Sequence, residues 1–321
     1  MNMSTWLTTR FGLRVPVVSA PMAGVAGGQL AAAVSRAGAL GMIGVGANTT
    51  PQWIESECRI AAAAGLPFGV GLQAWAVAEA PAQLDAAMTS GAAMVSVNYG
   101  PYERYVRPLQ RAGFVVATTI GTLQEAREAA ESGVDVIIAR GSEGGGHGRN
   151  FVSTLPLLQS VLETVDTPVL AAGGIASARG LAAVLAAGAA GAWVGTAFLT
   201  CAEGTVSDVE RSRLFAAHDT DTVYGQVFDI GARARWPREF GERAVRNEFF
   251  DEWTGREDEL AADNVAMDRM ARARRDQDYD IACLDAGQGV ELLRHKTSAA
   301  EVVSEFAGAA ELLRAAAEMA P

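Results

Sequence analysis

Eight short apolar runs recur along the first two-thirds of the 321-residue chain, at 15–20, 40–45, 67–72, 94–98, 114–119, 134–139, 168–172 and 192–199. Most are rich in small or branched residues, and they are continuous rather than alternating, the pattern of parallel strands covered on both faces. Helical patterns separate them. Thr50 before Pro51 reads as a cap and first-turn residue, and Thr122 with Glu125 has capping-box spacing. Gly65, Gly113, Gly133 and Gly188 stand where helices should stop. Strand and helix alternating to a count of eight predict an α/β fold of the (β/α)8, or TIM, barrel type. The competing architecture is an open doubly wound sheet, but no early GxGxxG follows a first strand.

The remaining chain divides by composition. The pattern predicts a barrel over 1–217, ending in a short helix at 205–217. Ser298 and Glu301 form a second capping-box pattern, and Val302, Val303, Phe306, Ala310 and Leu313 follow at helical spacing. A helix over 298–321 should therefore return to the barrel. Between them, 218–297 is more charged and carries Tyr224, Phe228, Trp236, Phe240, Phe249, Phe250 and Trp253, which suggests a smaller, mainly helical substrate or lid domain. Its arginines at 272–275 and its acids at 251–259 read as solvated helix faces.

A net charge of -11 argues against an extended surface for nucleic acid or anionic membrane, which needs clustered lysine and arginine. Every apolar run is too short to span a bilayer. A small-molecule substrate is the expected partner, with a homodimer left open. Lys296 is the only lysine, so positive charge in the barrel must come from arginine. Cys58, Cys201 and Cys283 are widely spaced and odd in number, which suggests neither a disulfide framework nor a metal site. The first residues lack the basic and apolar regions of a signal peptide, so a cytoplasmic location is expected.

The run Gly141-Ser-Glu-Gly-Gly-Gly-His-Gly148 follows the sixth apolar run and holds one of three histidines. Glycines allow close backbone approach, and loops leaving the carboxyl ends of barrel strands carry active sites. His147 is therefore the candidate for chemistry, against the plainer reading of a solvated residue in a flexible turn. Two further clusters, Gly173-Gly174 and Trp193-Val-Gly-Thr196, lie after the seventh run and within the eighth. In this fold those positions bind phosphate through backbone N–H groups. Pro21, Met22 and Ala23 close the first run and leave space for a flat ring. A phosphate cradle and a planar slot across one mouth suggest a mononucleotide. Gln73, Asn98 and Tyr99 end the third and fourth runs and should face the same mouth, although each also reads as an ordinary strand-end residue.

These motifs resemble the nitronate monooxygenase family, formerly called 2-nitropropane dioxygenases. The likeness is carried by Ala20-Pro-Met-Ala-Gly24, the 141–148 loop, Ala171-Ala-Gly-Gly-Ile175, Gly195-Thr-Ala-Phe198, Arg246-Asn-Glu-Phe249 and Ala286-Gly-Gln288. The resemblance implies an FMN enzyme on a TIM barrel that oxidises a nitronate with O2 to a carbonyl product and nitrite. It implies that His147 is the catalytic base or substrate partner. It further implies that Gly145, Gly174, Trp193, Val194, Gly195 and Thr196 contact FMN; the strand-end reading adds Pro21, Met22, Ala23, Gln73, Arg140, Gly146 and Gly173 to the expected cofactor contacts, with Asn98 and Tyr99 expected to line the substrate pocket. Two positions depart from the family pattern. Gly71 stands where asparagine is common and Arg140 where glutamine is common. Gln73 is a candidate to replace the lost amide, and Arg140 is expected either to place charge beside the flavin or to turn away and pair with Glu143. Related barrels include flavin-dependent enoyl and quinone reductases, which often have a lysine on strand five; the run 114–119 has none. A non-redox phosphate- or flavin-binding barrel is the alternative of another class.

Overall fold

The computed structural model describes residues 3–318. Eight strands form one parallel sheet: β1 (Val17–Ser19), β2 (Gly41–Gly44), β3 (Phe68–Gln73), β4 (Met94–Asn98), β5 (Val115–Ile120), β6 (Val136–Arg140), β8 (Val169–Ala172) and β9 (Gly191–Val194). The sheet closes on itself between β1 and β2. Leu40 N–H donates to Val17 O at 2.9 Å, and Ser19 N–H donates to Leu40 O at 2.9 Å. A closed sheet has no exposed edge, and the expected α/β barrel is the observed one.

All the strands but β3, whose inward positions are Gly69, Gly71 and Gln73, sort their side chains between two cores. Val17, Ile43, Val70, Val95, Val116, Ile137, Val169 and Val194 pack outward under the helices. Val18, Leu40, Met42, Met94, Ala117, Val136, Ile138, Leu170 and Trp193 form an inner cluster with Leu7 and Phe11. The helix Trp6–Phe11 thus plugs the amino-terminal end of the barrel. Period-two alternation fills both faces with apolar groups, which explains the continuous hydrophobic runs.

Local signals hold in detail. The Thr50 side chain caps the helix Pro51–Ala62, and Gly65, Gly113, Gly133 and Gly188 all have positive φ. Thr122 accepts from Glu125 N–H, but the Glu125 carboxylate turns to Gly121 N–H and Arg149, so only half of that capping box forms. Ser298 and Glu301 complete theirs. The helix they start, Ala299–Ala307, packs on the helix Gly28–Arg36, and the following helix Ala309–Glu318 packs on Ala178–Ala186.

Two boundaries move. The eighth strand ends at Val194, not 199: the chain turns at Gly195 into a 3-10 helix, Thr196–Thr200, tied by the Thr200 hydroxyl to Ala197 O at 2.8 Å. An apolar run alone does not separate a buried strand from a buried helical turn. The helix expected at 205–217 is Asp208–Ala216, because Ser207 and Glu210 cap it reciprocally.

Segment 218–297 contains the helices Val227–Gly231, Glu248–Trp253, Glu257–Ala262 and Asn264–Asp276 around a core of Phe228, Phe249, Phe250, Trp253 and Met270. It also contains two strands, β10 (Thr222–Gly225) and β11 (Gly241–Val245). With β7 (Gly146–Gly148) from the barrel loop they make an antiparallel sheet in the order β10, β11, β7.

Gly41 illustrates how tightly the layers meet. A Cβ there would lie 2.0 Å from Ala31 O, on the backbone of the helix Gly28–Arg36. Gly41→Ala is expected to lower stability by about 1–3 kcal/mol, the usual range for overpacking. Urea denaturation of the two proteins measures it; equal midpoints at equal slopes would show that the helix is free to move away.

Candidate active site

The carboxyl ends of the barrel strands gather the sequence-marked residues at one mouth. Pro21 lies over Gly71, where a Cβ would meet the proline ring at 2.2 Å, so no side chain fits at 71. Met22 lies over Gly44 and Gly195, and Ala23 is exposed at the rim beside Gly46. Gln73 Oε1 is buried with no hydrogen-bond partner, as is Trp75 Nε1 two residues on. Asn98 is committed to the fold: its Oδ1 accepts from Thr119 N–H at 2.9 Å and its Nδ2 donates to Ser96 Oγ at 3.2 Å. Tyr99 has φ 65°, a left-handed conformation rare for a bulky residue, and its hydroxyl donates to His147 O at 3.2 Å.

The glycine loop is organised by Arg140. Its guanidinium donates to the carbonyls of Gly144 at 2.6 Å, Gly145 at 3.2 Å, Gly146 at 2.9 Å and Arg149 at 3.2 Å. The expected pairing with Glu143 does not form, because the Glu143 carboxylate accepts instead from Thr154 N–H at 2.8 Å and Thr154 Oγ1 at 2.6 Å. Burial pushes the Arg140 guanidinium below its usual range, opposed by the acidic groups Tyr99, Tyr224, Asp285 and Glu143. The loop carbonyls replace its lost hydration.

Gly173 and Gly174 have φ of 102° and 69°, which only glycine adopts without strain. Among the described residues, no carbonyl accepts from the N–H groups of Gly174, Gly195 or Thr196. Gly174 is exposed, and Gly195 and Thr196 are half-buried, so these donors line an open cradle. The Trp193 side chain belongs to the inner barrel core and that of Val194 to the outer one. Only backbone from these two residues can reach the mouth. The Ala286-Gly-Gln288 segment joins the clusters: Gln288 N–H donates to Glu143 O at 2.9 Å and Gly287 N–H to Thr196 Oγ1 at 3.0 Å. Gly145 meets the same segment, where a Cβ would come within 2.5 Å of Gly287 N.

His147 sits on β7 directly opposite Glu242 on β11. Its Nε2 lies 3.0 and 2.9 Å from the two carboxylate oxygens of Asp229, and 4.0 Å from Glu242 Oε2. The acceptor-only carboxylate holds the proton on Nε2, so Nδ1 carries the lone pair. The ring stacks on Trp236 at 3.5 Å and 8°. Trp75, Tyr99 and Phe240 extend this aromatic wall, with Trp236 5.4 Å from Trp75 and 5.1 Å from Tyr99. Donor atoms of His147, Asp229 and Glu242 come within 4.8 Å of one another, but the direct hydrogen bond closes His147 and Asp229 on each other.

Asp229, Glu242, Asp285, Cys283, Trp75 and Trp236 escape the sequence reading. Trp236 and Glu242 left a signal: an aromatic next to proline, and a charged pair inside the short stretch Gly241–Val245. Nothing in the pattern links them to a histidine about ninety residues away. The three cysteines are free, with Cys58 and Cys201 buried.

Backbone donors at an open cradle, orphaned Gln73 Oε1 and Trp75 Nε1, and a clamped imidazole at a barrel mouth define an α/β-barrel oxidoreductase site that suits a flavin. The chain belongs to the nitronate monooxygenase family, whose profile matches residues 4–308. A Rhodococcus jostii relative, (3aS,4S,5R,7aS)-5-hydroxy-7a-methyl-1-oxo-octahydro-1H-indene-4-carboxyl-CoA dehydrogenase, is 39% identical over 231 residues, covering 71% of this chain and 64% of its own length. Among solved structures, FabK from Thermotoga maritima matches with TM-score 0.84 and 26% identity, covering 98% of this chain and 100% of that one. Nitroalkane oxidase from Streptomyces ansochromogenes matches with TM-score 0.82 and 30% identity, covering 97% and 99%. Among the described residues, no helix is long and apolar enough to cross a membrane.

Replacing Arg140 by Met would leave the carbonyls of Gly144, Gly145 and Gly146 without their donor. Arg140→Met is expected to cost about 2–5 kcal/mol, the range for breaking a buried charged network. Urea melts measure the loss, and a change below about 0.5 kcal/mol would mean the loop holds its shape without the guanidinium.

Proposed function

We propose that this enzyme binds FMN and oxidises alkyl nitronates and their parent nitroalkanes with O2, giving a carbonyl product and nitrite. The observation that carries this reading is the His147–Asp229 pair, which holds an imidazole with Nδ1 unengaged at the barrel mouth. The residues suit a mononucleotide: N–H groups of Gly174, Gly195 and Thr196 would receive the phosphate, while Pro21, Met22, Ala23, Gly145 and Gly146 would border the ring. Gln73 Oε1, the buried acceptor without a partner, would take the role of the amide that Gly71 lacks. Arg140 would act from beneath, shaping the loop rather than contacting the cofactor. FMN, when bound, would supply the electron acceptor for the substrate and the redox link to O2.

The protein's own part is proton handling and enclosure. His147 Nδ1 removes the α-proton of a neutral nitroalkane, and the Asp229 carboxylate stabilises the imidazolium that forms. A nitronate arrives already ionised and needs the ring only as a hydrogen-bond partner. Trp75 Nε1–H is a donor available to a nitro oxygen. Trp236, Tyr99 and Phe240 exclude water, with 218–297 serving as a substrate lid on the barrel, which the helices Ala299–Ala307 and Ala309–Glu318 complete.

A second reading is favoured by the 39% identity to the Rhodococcus CoA-thioester dehydrogenase. There the same base would take the proton of a secondary alcohol. Anaerobic mixing separates the readings. Ethylnitronate or propionate 3-nitronate is expected to bleach the FMN of the purified protein, while NADH and NADPH leave it oxidised. Bleaching by a hydroxyacyl-CoA alone would install the second reading, and bleaching by NAD(P)H alone would make the enzyme a reductase. A protein that gains no flavin spectrum with FMN would be a barrel of another class.

Two variants divide chemistry from cofactor geometry. His147→Asn is expected to keep FMN, to lose about 10²–10⁴-fold in turnover of neutral nitroalkane, and to retain more activity on nitronate. Gly174→Val forces a branched residue to φ 69° in the cradle and should lower FMN occupancy. If His147→Asn holoenzyme turns over both substrates unchanged, the histidine is structural.

A further inference from the structure

Behind His147 the structure assembles more acid than one imidazole can neutralise. Asp229 from the helix Val227–Gly231, Glu242 from β11 and Asp285 from the 281–287 segment converge there with Cys283. Glu242 is 6% exposed and Asp229 is 7% exposed. The Cys283 thiol donates to Glu242 Oε2 at 3.4 Å, and an oxygen of Asp285 lies within 4.8 Å of both. Asp285 keeps one side open to solvent while chain surrounds the rest.

Among the described residues, no cation other than His147 bonds to this cluster. Arg243, next along β11, points away to Ser142 O, Thr222 and Asn150. Arg140 attracts Asp285 from a distance, but its hydrogen bonds go to loop carbonyls. Tyr99 faces the backbone of His147 rather than the carboxylates.

Three carboxylates in so small a space do not all ionise, and Glu242 is the one placed to keep a proton. It is buried, it faces Asp229 and Asp285 with no cation bonded to it, and these outweigh the Cys283 thiol hydrogen bond, which by itself favours the carboxylate. We propose that Glu242 is a positioning residue that works as a neutral acid, donating its proton to Asp285 so that Asp229 is the single carboxylate bonded to the imidazole. The assignment deepens the base mechanism above, and it rests on that reading only for its catalytic meaning. Burial first, then Asp285 and Asp229, push the Glu242 carboxyl well above the usual range, and burial likewise raises Asp285. An ionised Glu242, 4.0 Å from Nε2, would compete with Asp229 for the ring proton and favour the charged imidazolium. A neutral Glu242 therefore leaves Asp229 as the one charged partner of the ring.

The test is an NMR titration of the histidine rings in the protein as purified, with His147 assigned by its loss in His147→Asn. In the parent protein the His147 resonance is expected to show its own titration and a second inflection at higher pH, where Glu242 ionises. Glu242→Gln should abolish the second inflection and leave the first midpoint in place, since the amide replaces a neutral group. Asp229→Asn should lower the first midpoint by about one unit or more, tenfold or more in proton affinity. If Glu242→Gln lowers that midpoint as Asp229→Asn does, Glu242 is ionised at rest and the proposal falls. A parent protein with no second inflection also overturns it, and needs no variant to fold. Neither outcome depends on the substrate, so a failed nitronate assay leaves this result standing.

Discussion

The shape of the site depends on one buried cation. Arg140 ends β6 and points up inside the barrel, where bulk water does not reach its guanidinium. Three glycine carbonyls and that of Arg149 take the place of that water, and the chain must curl around the guanidinium to present them. Glycine permits the curl: Gly146 has φ 66°, and at Gly148 a Cβ would meet the guanidinium at 2.3 Å. A loop wrapped this way delivers residues 146–148 as a strand, and β11 pairs with it. The histidine thereby gains neighbours from a distant part of the chain.

That pairing couples two hydrophobic units. The barrel has its own inner and outer cores, and the helices of 218–297 have another. An apolar cluster of Leu199, Val206 and Leu214 with Val245, Leu284 and Val290 spans the two, and polar contacts tie them at the loop. Tyr224 donates to Gly148 O at 2.8 Å, Arg243 to Ser142 O at 2.8 Å, and Gly287 to Thr196 at 3.0 Å. Such directional bonds fix register where apolar packing alone would allow sliding. The mouth is consequently built by the loops that follow β1, β3, β4, β6, β8 and β9, together with segments of the later chain.

The electrostatics follow from composition. The barrel has no lysine, and its buried charge near the site is arginine held by carbonyls rather than by carboxylates. The carboxylates of Asp229 and Glu242 collect instead around His147. Backbone dipoles remain to receive an anion at Gly174, Gly195 and Thr196. The imidazole and the unengaged backbone N–H groups thus stand on different loops of one mouth.

The sequence by itself determined the barrel, because eight apolar runs covered on both faces, with caps and glycine stops between them, satisfy few other architectures. It also marked His147, Gly173, Gly174 and Pro21–Ala23, which follow barrel strands whose carboxyl ends share one mouth. Tertiary structure alone decided who stands beside the histidine. Asp229 and Glu242 lie 82 and 95 residues from it and carry no periodic signal. It also decided that Arg140 bonds to carbonyls instead of Glu143, and that the eighth strand stops at Val194. Each outcome turns on which groups remain unsatisfied after packing, a quantity set by three-dimensional neighbours and absent from any local pattern.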